Sequence, residues 1–253
     1  MIRILVTNDD GVHSDGIKAL AEALQPLGEI TIVAPMQEAS AIGHALTLRR
    51  PLRLEQISDR TFAVDGTPTD CVNIAVTTVF QGMPSLVVSG INKGWNLGDD
   101  ITYSGTVSGA FEGALLGVPS IAVSLQYTAD GIFDFSESAR AVHAVAQSVL
   151  QKGLPARTFL NMNVPKALTK GFRVTVQAKR NHVTTVNERT DPRGQRYFWI
   201  EEGQNDWEPH DRSDYQAVRD GYVSVTPLQP DMTAYALIDM VEEFPFAAQP
   251  SAR

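Results

Sequence analysis

Short apolar runs rich in β-branched residues alternate with segments whose apolar residues recur at helical spacing, and this pattern holds over the first two-thirds of the chain. Residues 2–7, 29–34, 85–89 and 120–124 have the length and composition of buried strands. Between and after them come four sets at helical spacing: Ile17, Leu20, Ala21 and Leu24; Val72, Ala75, Val76 and Val79; Val107, Ala110, Phe111, Ala114 and Leu115; and Val142, Val145, Ala146, Val149 and Leu150. A chain patterned this way folds as α/β, in three layers, with a mostly parallel sheet between two sheets of helices.

Boundary residues support the division. Ser14 suits an N-cap, with Pro26 and Gly28 marking the end of the first helix. Thr67-Pro68-Thr69-Asp70 reads as a capped start with proline at the first helical position. Gly153 suits a C-cap. Residues 46–54 and 61–64 read as two short strands of a hairpin-like excursion. The last third differs: 157–164, 172–176 and 221–225 are strand-like, and 184–187 and 196–200 flank the turn signal Asp191-Pro192-Arg193-Gly194. Residues 232–240 read as a short helix and 244–253, with two prolines, as a tail. With no repeat, low-complexity block or linker, one domain is expected over 1–253: a core at 1–155 and a β-rich extension with a C-terminal helix at 156–253.

Length and composition narrow the class. The 253 residues, 43% hydrophobic and 20% charged, can bury a sizeable core. A formal net charge of -8 disfavours binding to duplex nucleic acid through phosphate contacts. An anionic small substrate stays compatible, because a bound divalent ion or a helix N-terminus reverses the local field. Cys71 is the only cysteine, which excludes an intramolecular disulfide or a thiolate metal cluster. The first strand begins at residue 2, leaving no room for a signal peptide, and no apolar run is long enough to span a bilayer, so a cytoplasmic protein without membrane contact is expected.

The chemistry is expected where the strands end, since ligands of open parallel sheets bind beyond the carboxyl ends of the strands. Strand one runs into Asn8-Asp9-Asp10-Gly11, strand two into a loop carrying Ser40, and the strand at 85–89 into a glycine-spaced loop carrying Asn92. Asn, Asp and Gly also favour ordinary turns. Yet two adjacent carboxylates repel unless one is protonated or a cation lies between them. Two carboxylates, a hydroxyl and an amide oxygen are hard donors that suit Mg²⁺, Mn²⁺ or Ca²⁺ better than zinc or copper. Ser104-Gly105-Thr106, directly before a helix, has the character either of an anion site or of a plain Ser/Thr cap. His44 follows the Ser40 loop and is a candidate proton shuttle or substrate contact. His143 reads as structural or surface, and His13, His182 and His210 as solvated. Trp95, Tyr103 and the run Tyr197-Phe198-Trp199 could stack on a base, cover the site or form an interface. No G-x-G-x-x-G follows the first strand, and neither a P-loop nor a G-x-S-x-G motif occurs.

Several of these segments, in this order, resemble the SurE family of stationary-phase survival proteins, which act as 5′/3′-nucleotidases. The resemblance is carried by Asn8-Asp9-Asp10-Gly11, Val33-Ala34-Pro35 leading to Ser40, Gly66-Thr67-Pro68-Thr69-Asp70-Cys71 and Ser89-Gly90-Ile91-Asn92. It continues through Asn96-Leu97-Gly98-Asp99-Asp100, Tyr103-Ser104-Gly105-Thr106-Val107, Leu160-Asn161-Met162-Asn163-Val164-Pro165 and Gly221-Tyr222-Val223-Ser224-Val225-Thr226-Pro227-Leu228. It implies a Rossmann-like α/β/α core with β-hairpin extensions, and a phosphomonoesterase using one divalent ion per subunit, Mg²⁺ or Mn²⁺. The metal ligands would be Asp9, Asp10, Ser40 and Asn92, with Asp9 and Asp10 also catalytic. Asn96, Ser104, Gly105 and Thr106, joined by the candidate His44, would face the substrate phosphate. The expected substrates are nucleoside 5′- and 3′-monophosphates and short polyphosphates, and the expected assembly is a homodimer or homotetramer. Met36, Ala39 and Trp95 depart from the family pattern without touching a ligand position. Two rival readings are an aspartyl-phosphate-forming phosphatase, whose two aspartates would be one residue apart rather than adjacent, and a non-catalytic nucleotide sensor.

Overall fold

Alternation decides the first strand. In β1 (Arg3–Thr7), buried from Ile4 onward, successive side chains point to opposite faces. Ile4 and Val6 join one core cluster, and Leu5 joins another. A strand apolar on both faces must be covered on both, and it is. The computed structural model of the protein describes residues 1–167, 169–181, 184–202 and 206–244.

After β1 come α1 (Asp15–Leu24), β2 (Glu29–Pro35), β3 (Leu54–Ser58), β4 (Thr61–Val64), α2 (Pro68–Ile74), β5 (Leu86–Lys93), α3 (Gly105–Leu115), β6 (Ser120–Leu125), α4 (Ser136–Lys152) and β7 (Phe159–Val164). The rest comprises β8 (Phe172–Val174), β9 (Arg180–Asn181), β10 (Thr184–Thr190), β11 (Arg196–Glu202), β12 (Asp206–Trp207), α5 (Asp214–Arg219), β13 (Val223–Leu228) and α6 (Ile238–Glu242). The main sheet runs β3-β4-β2-β1-β5-β6-β7-β13-β8. From β4 to β7 every neighbouring pair is parallel. β3 pairs antiparallel to β4 at one side, and β13 antiparallel to β7 at the other. α1 packs with α4, and α2 with α3. The fold is the expected three-layer α/β/α arrangement around a mostly parallel sheet.

The caps read from sequence are present. The Ser14 hydroxyl accepts the Ile17 N–H, and Thr67 and Asp70 form a reciprocal capping box. Gly153 ends α4 at φ 74°. Elsewhere the elements shift. The strand expected at 46–54 lies instead at Leu54–Ser58. Upstream of it the backbone is engaged by side chains: Thr67 Oγ1 donates to the Ala45 carbonyl at 2.7 Å and the Thr47 N–H to Asp70 Oδ1 at 2.9 Å. The glycine-spaced loop starts later than expected, because β5 continues through Gly90 and Ile91 to Lys93. The C-terminal helix starts at Ile238, after a 3₁₀ turn over Tyr235–Leu237. Residues 245–253 and His182 lie outside the described residues. β10 and β11 form the hairpin around the expected turn. Among the described residues no helix is long and apolar enough to cross a membrane.

The order β2-β1-β5 has a consequence for binding. The chain moves from β1 to one side for β2 and β4, then returns to the other side for β5. Successive crossovers therefore part at β1, leaving a crevice at the carboxyl ends of β1 and β5. Asp9 and Asp10 follow β1, and Asn92 stands at the end of β5.

Candidate active site

Three local features shape the crevice. First, Asn8 Nδ2 donates to the Gly11 carbonyl at 3.0 Å and to Ser14 Oγ at 2.8 Å, so the turn after β1 is locked to the start of α1. Second, the β5–β6 register shifts between Ser89 and Asn92, around a cis Gly90–Ile91 peptide. A bulge of this kind re-aims the residues beyond it. Gly90 sits at φ 137°, and a Cβ there would fall 2.3 Å from the Val123 carbonyl oxygen, so no side chain fits. Third, Ser104 caps α3, its hydroxyl accepting the Val107 N–H, and so sets the helix N-terminus against Asp9.

These elements border a cavity of about 670 Å³. Its lining includes the candidate residues Asp9, Asp10, Ser40, Asn92, Asn96 and Ser104 and the candidate aromatics Trp95 and Tyr103, together with Glu38, Lys93, Asp100, Tyr127, Phe133 and Ile200. Gly105 and Thr106 lie immediately behind Asp9. A Cβ on Gly105 would come 2.7 Å from the Asp9 Cβ. The Thr106 hydroxyl donates to Asp9 Oδ1, so it orients the carboxylate rather than facing the open cavity. Ser40 donates to Glu38 at 2.7 Å. Asn92 spends its Nδ2 on the Gly94 carbonyl at 3.0 Å, and Asn96 spends its own on Ser124 Oγ at 2.8 Å. The amide donors are thus turned inward to the protein.

His44 is held elsewhere. It does not line this cavity. Its Nε2 lies 2.6 Å from Glu112 Oε2, and its ring packs on Phe111 with centroids 4.6 Å apart. A buried carboxylate in the middle of α3 is a stronger partner for an imidazole than solvent at the cavity mouth. The ring borders a separate, largely apolar cavity with Phe111 and Phe159.

Electrostatics mark the two aspartates. Asp9 is buried, and burial raises its pKa, against the lowering effect of the Thr106 hydrogen bond. Burial, then the neighbouring charge of Asp9, pushes the Asp10 carboxyl up to about 6. Lys93 opposes that rise and Glu38 adds to it. Asp10 Oδ2 is buried without a hydrogen-bond partner. A desolvated carboxylate pair with an unpartnered oxygen is the environment a divalent cation relieves. Among the described residues no group of three or more His, Cys, Asp or Glu side chains is arranged for a metal ion. A cation here would depend on the two carboxylates completed by neutral oxygens, which Ser40 and Asn92 can supply.

Sequence reasoning missed the supports. Asn163 grips the Asn96 peptide at both ends, its Oδ1 accepting the N–H at 2.8 Å and its Nδ2 donating to the carbonyl at 3.0 Å. Asn161 Nδ2 donates to the same carbonyl at 2.9 Å. The visible signal was two amides at i and i+2 on an otherwise apolar strand, hence on one face. Lys93 and Glu38 had weaker signals, as charged residues within two positions of Asn92 and Ser40. Tyr127, Phe133 and Ile200 gave none, because distant segments bring them to the cavity.

Similarity to known proteins agrees with this geometry. The profile of the family described as "Survival protein SurE" matches residues 4–184. A protein named 5′-nucleotidase SurE from Syntrophotalea carbinolica is 50% identical over 232 residues, covering 92% of this chain and 93% of its own. Its namesake from Pelobacter propionicus is 49% identical over 248 residues, covering 97% and 100%. The crystal structure of the SurE protein from Aquifex aeolicus superposes with a TM-score of 0.85 at 43% identity, over 95% of this chain and 98% of that one. Fold, crevice and relatives together identify the chain as a member of the SurE family.

Proposed function

We propose that this chain is a phosphomonoesterase that hydrolyses nucleoside 5′- and 3′-monophosphates, and also short polyphosphate, with one divalent ion per subunit, Mg²⁺ or Mn²⁺. The observation that carries the reading is the desolvated Asp9–Asp10 pair, with an unpartnered Asp10 oxygen, opening into the same cavity as Ser40, Asn92 and the N-terminus of α3. The name 5′-nucleotidase carried by relatives at about 50% identity supports it.

In this reading Asp9, Asp10, Ser40 and Asn92 hold the ion, which when bound neutralises phosphate charge and makes a water more acidic. The N-terminus of α3, beside Ser104, attracts phosphoryl oxygens through the helix dipole. Thr106 keeps Asp9 aimed at the cavity by donating to Oδ1. Asn96, its backbone clamped by Asn161 and Asn163 and its amide donor held by Ser124, borders the substrate side. Lys93 adds positive charge at a mouth otherwise lined by Glu38 and Asp100. Asp9 or Asp10 orients the attacking water and accepts its proton.

We also propose that the chain is one domain, with residues 156–253 as its β-rich extension, and that copies associate as a dimer or tetramer. β7, β8 and β13 lie in the same sheet as the first strands, which supports the first point. Exposed Val186, Tyr197, Phe198 and Trp199 on the β10–β11 hairpin support the second.

The decisive experiment measures phosphate release from 5′- and 3′-nucleotides and from short polyphosphate, with Mg²⁺, with Mn²⁺ and with a chelator. Turnover that needs the metal is expected. Absence of turnover under every condition overturns the reading.

A further inference from the structure

Ser40 stands on a short bridge. On one side the Ala39 N–H donates to the Asp9 carbonyl at 2.8 Å, and on the other the Gly43 N–H donates to the Tyr103 carbonyl at 3.0 Å. Between those anchors Ser40, Ala41 and Ile42 cross from the end of β1 to the approach of α3. Ser40 and Ala41 line the cavity as they do so. Among the described residues the Ser40 side chain hydrogen-bonds only to Glu38, on its own loop. A further hold on the bridge comes directly after it.

His44 is that fastening. Its Nε2 meets Glu112 Oε2 at 2.6 Å, and the other carboxylate oxygen, Oε1, accepts from Asn73 Nδ2 at 2.8 Å. Asn73 also donates to the Thr69 carbonyl at 3.1 Å. Three elements are thereby tied through one buried carboxylate: the Ser40 loop by His44, α3 by Glu112 and α2 by Asn73. Glu112 is only 6% exposed. A buried carboxylate left without partners is costly, so the pairing is strongly favoured and the loop is held with it.

We propose that His44, Glu112 and Asn73 form a positioning relay that fixes the Ser40 bridge over the Asp9–Asp10 pair, so that Ser40 reaches the cation. None of the three lines the cavity, and none touches the reacting atoms. The inference rests on the proposed function in taking Ser40 as a metal ligand. Partners that orient a ligand from behind commonly matter about 10- to 100-fold in metal affinity.

The test strips the protein of metal and titrates Mn²⁺, following free Mn²⁺ by electron paramagnetic resonance. Amide hydrogen exchange over residues 39–46 is measured in parallel. His44→Ala is expected to weaken Mn²⁺ binding by about tenfold and to speed exchange across Ser40–Gly43, with exchange in β1 and β5 unchanged. His44→Gln, whose amide can still donate to Glu112, should restore most of both. Glu112→Gln keeps the volume of the buried side chain and guards against a folding defect; it should reproduce part of the His44→Ala effect. Wild-type Mn²⁺ affinity together with unchanged loop exchange in His44→Ala overturns the proposal. Failure of the functional reading looks different. Asp9→Asn would then bind Mn²⁺ as wild type does, while faster loop exchange in His44→Ala would still support the fastening.

Discussion

At the scale of single residues, the site is built from what surrounds Asp9. Its carboxylate is buried, receives the Thr106 hydroxyl, and has the backbone of Gly105 against its Cβ. Asp9→Asn should abolish phosphate release while the thermal unfolding midpoint stays near wild type, because Asn keeps the volume and loses only the charge; full activity would remove Asp9 from the chemistry. Gly105→Ala would bring a methyl 2.7 Å from the Asp9 Cβ. Overpacking of that kind costs about 1–3 kcal/mol, so calorimetry should show a lowered midpoint, and phosphate release should fall further than stability alone explains. Asp9, Asp10, Asn92 and Ser104 stand out in the sequence because each belongs to a polar cluster ending an apolar strand or starting a helix; Ser40 lies in the loop after the second strand, and only the family resemblance points to Asn96. The partner of His44 was not legible, because nothing near it in sequence reveals Glu112, which is 68 residues away.

At the scale of elements, caps and turns were readable and irregular pieces were not. Ser14, Thr67, Asp70 and Gly153 act locally, so their neighbours in sequence are their neighbours in space. α5 was not expected, since its six residues are held by long-range contacts such as Asp214 Oδ2 accepting the Gly98 N–H at 3.0 Å. The first turn of α4 gives a pH prediction. The Arg140 side chain, with further help from Thr169, holds the Glu137 carboxyl down at about 2. A carboxylate with a depressed folded-state pKa adds stability above its unfolded value of about 4.5, and loses it as pH falls toward 2. Glu137→Gln should therefore unfold more easily than wild type at pH 7. That difference should close between about pH 4.5 and 2 in denaturant titrations.

At the scale of the molecule, the β10–β11 hairpin displays apolar side chains to solvent. Phe198 is 55% and Trp199 56% exposed, a pattern that suits contact between copies. Phe198→Asp should lower the mass found by light scattering, and unchanged mass would place the interface elsewhere. The hairpin itself was legible from its turn, but the place of β13 was not, because sheet order across 60 residues leaves no local trace. That place has a consequence for how the protein is made. β13 lies between β7 and β8, and among the described residues β8 has no other neighbour in the sheet. On a ribosome the parallel strands through β7 can assemble early, whereas β8 must wait some fifty residues for its partner to emerge. Pairings of such sequence separation form late. A nascent chain with Val223–Leu228 still inside the ribosome should show protease-resistant β1–β7 and a cleavable segment around Phe172–Val174, protected once Val223–Leu228 has left the ribosome.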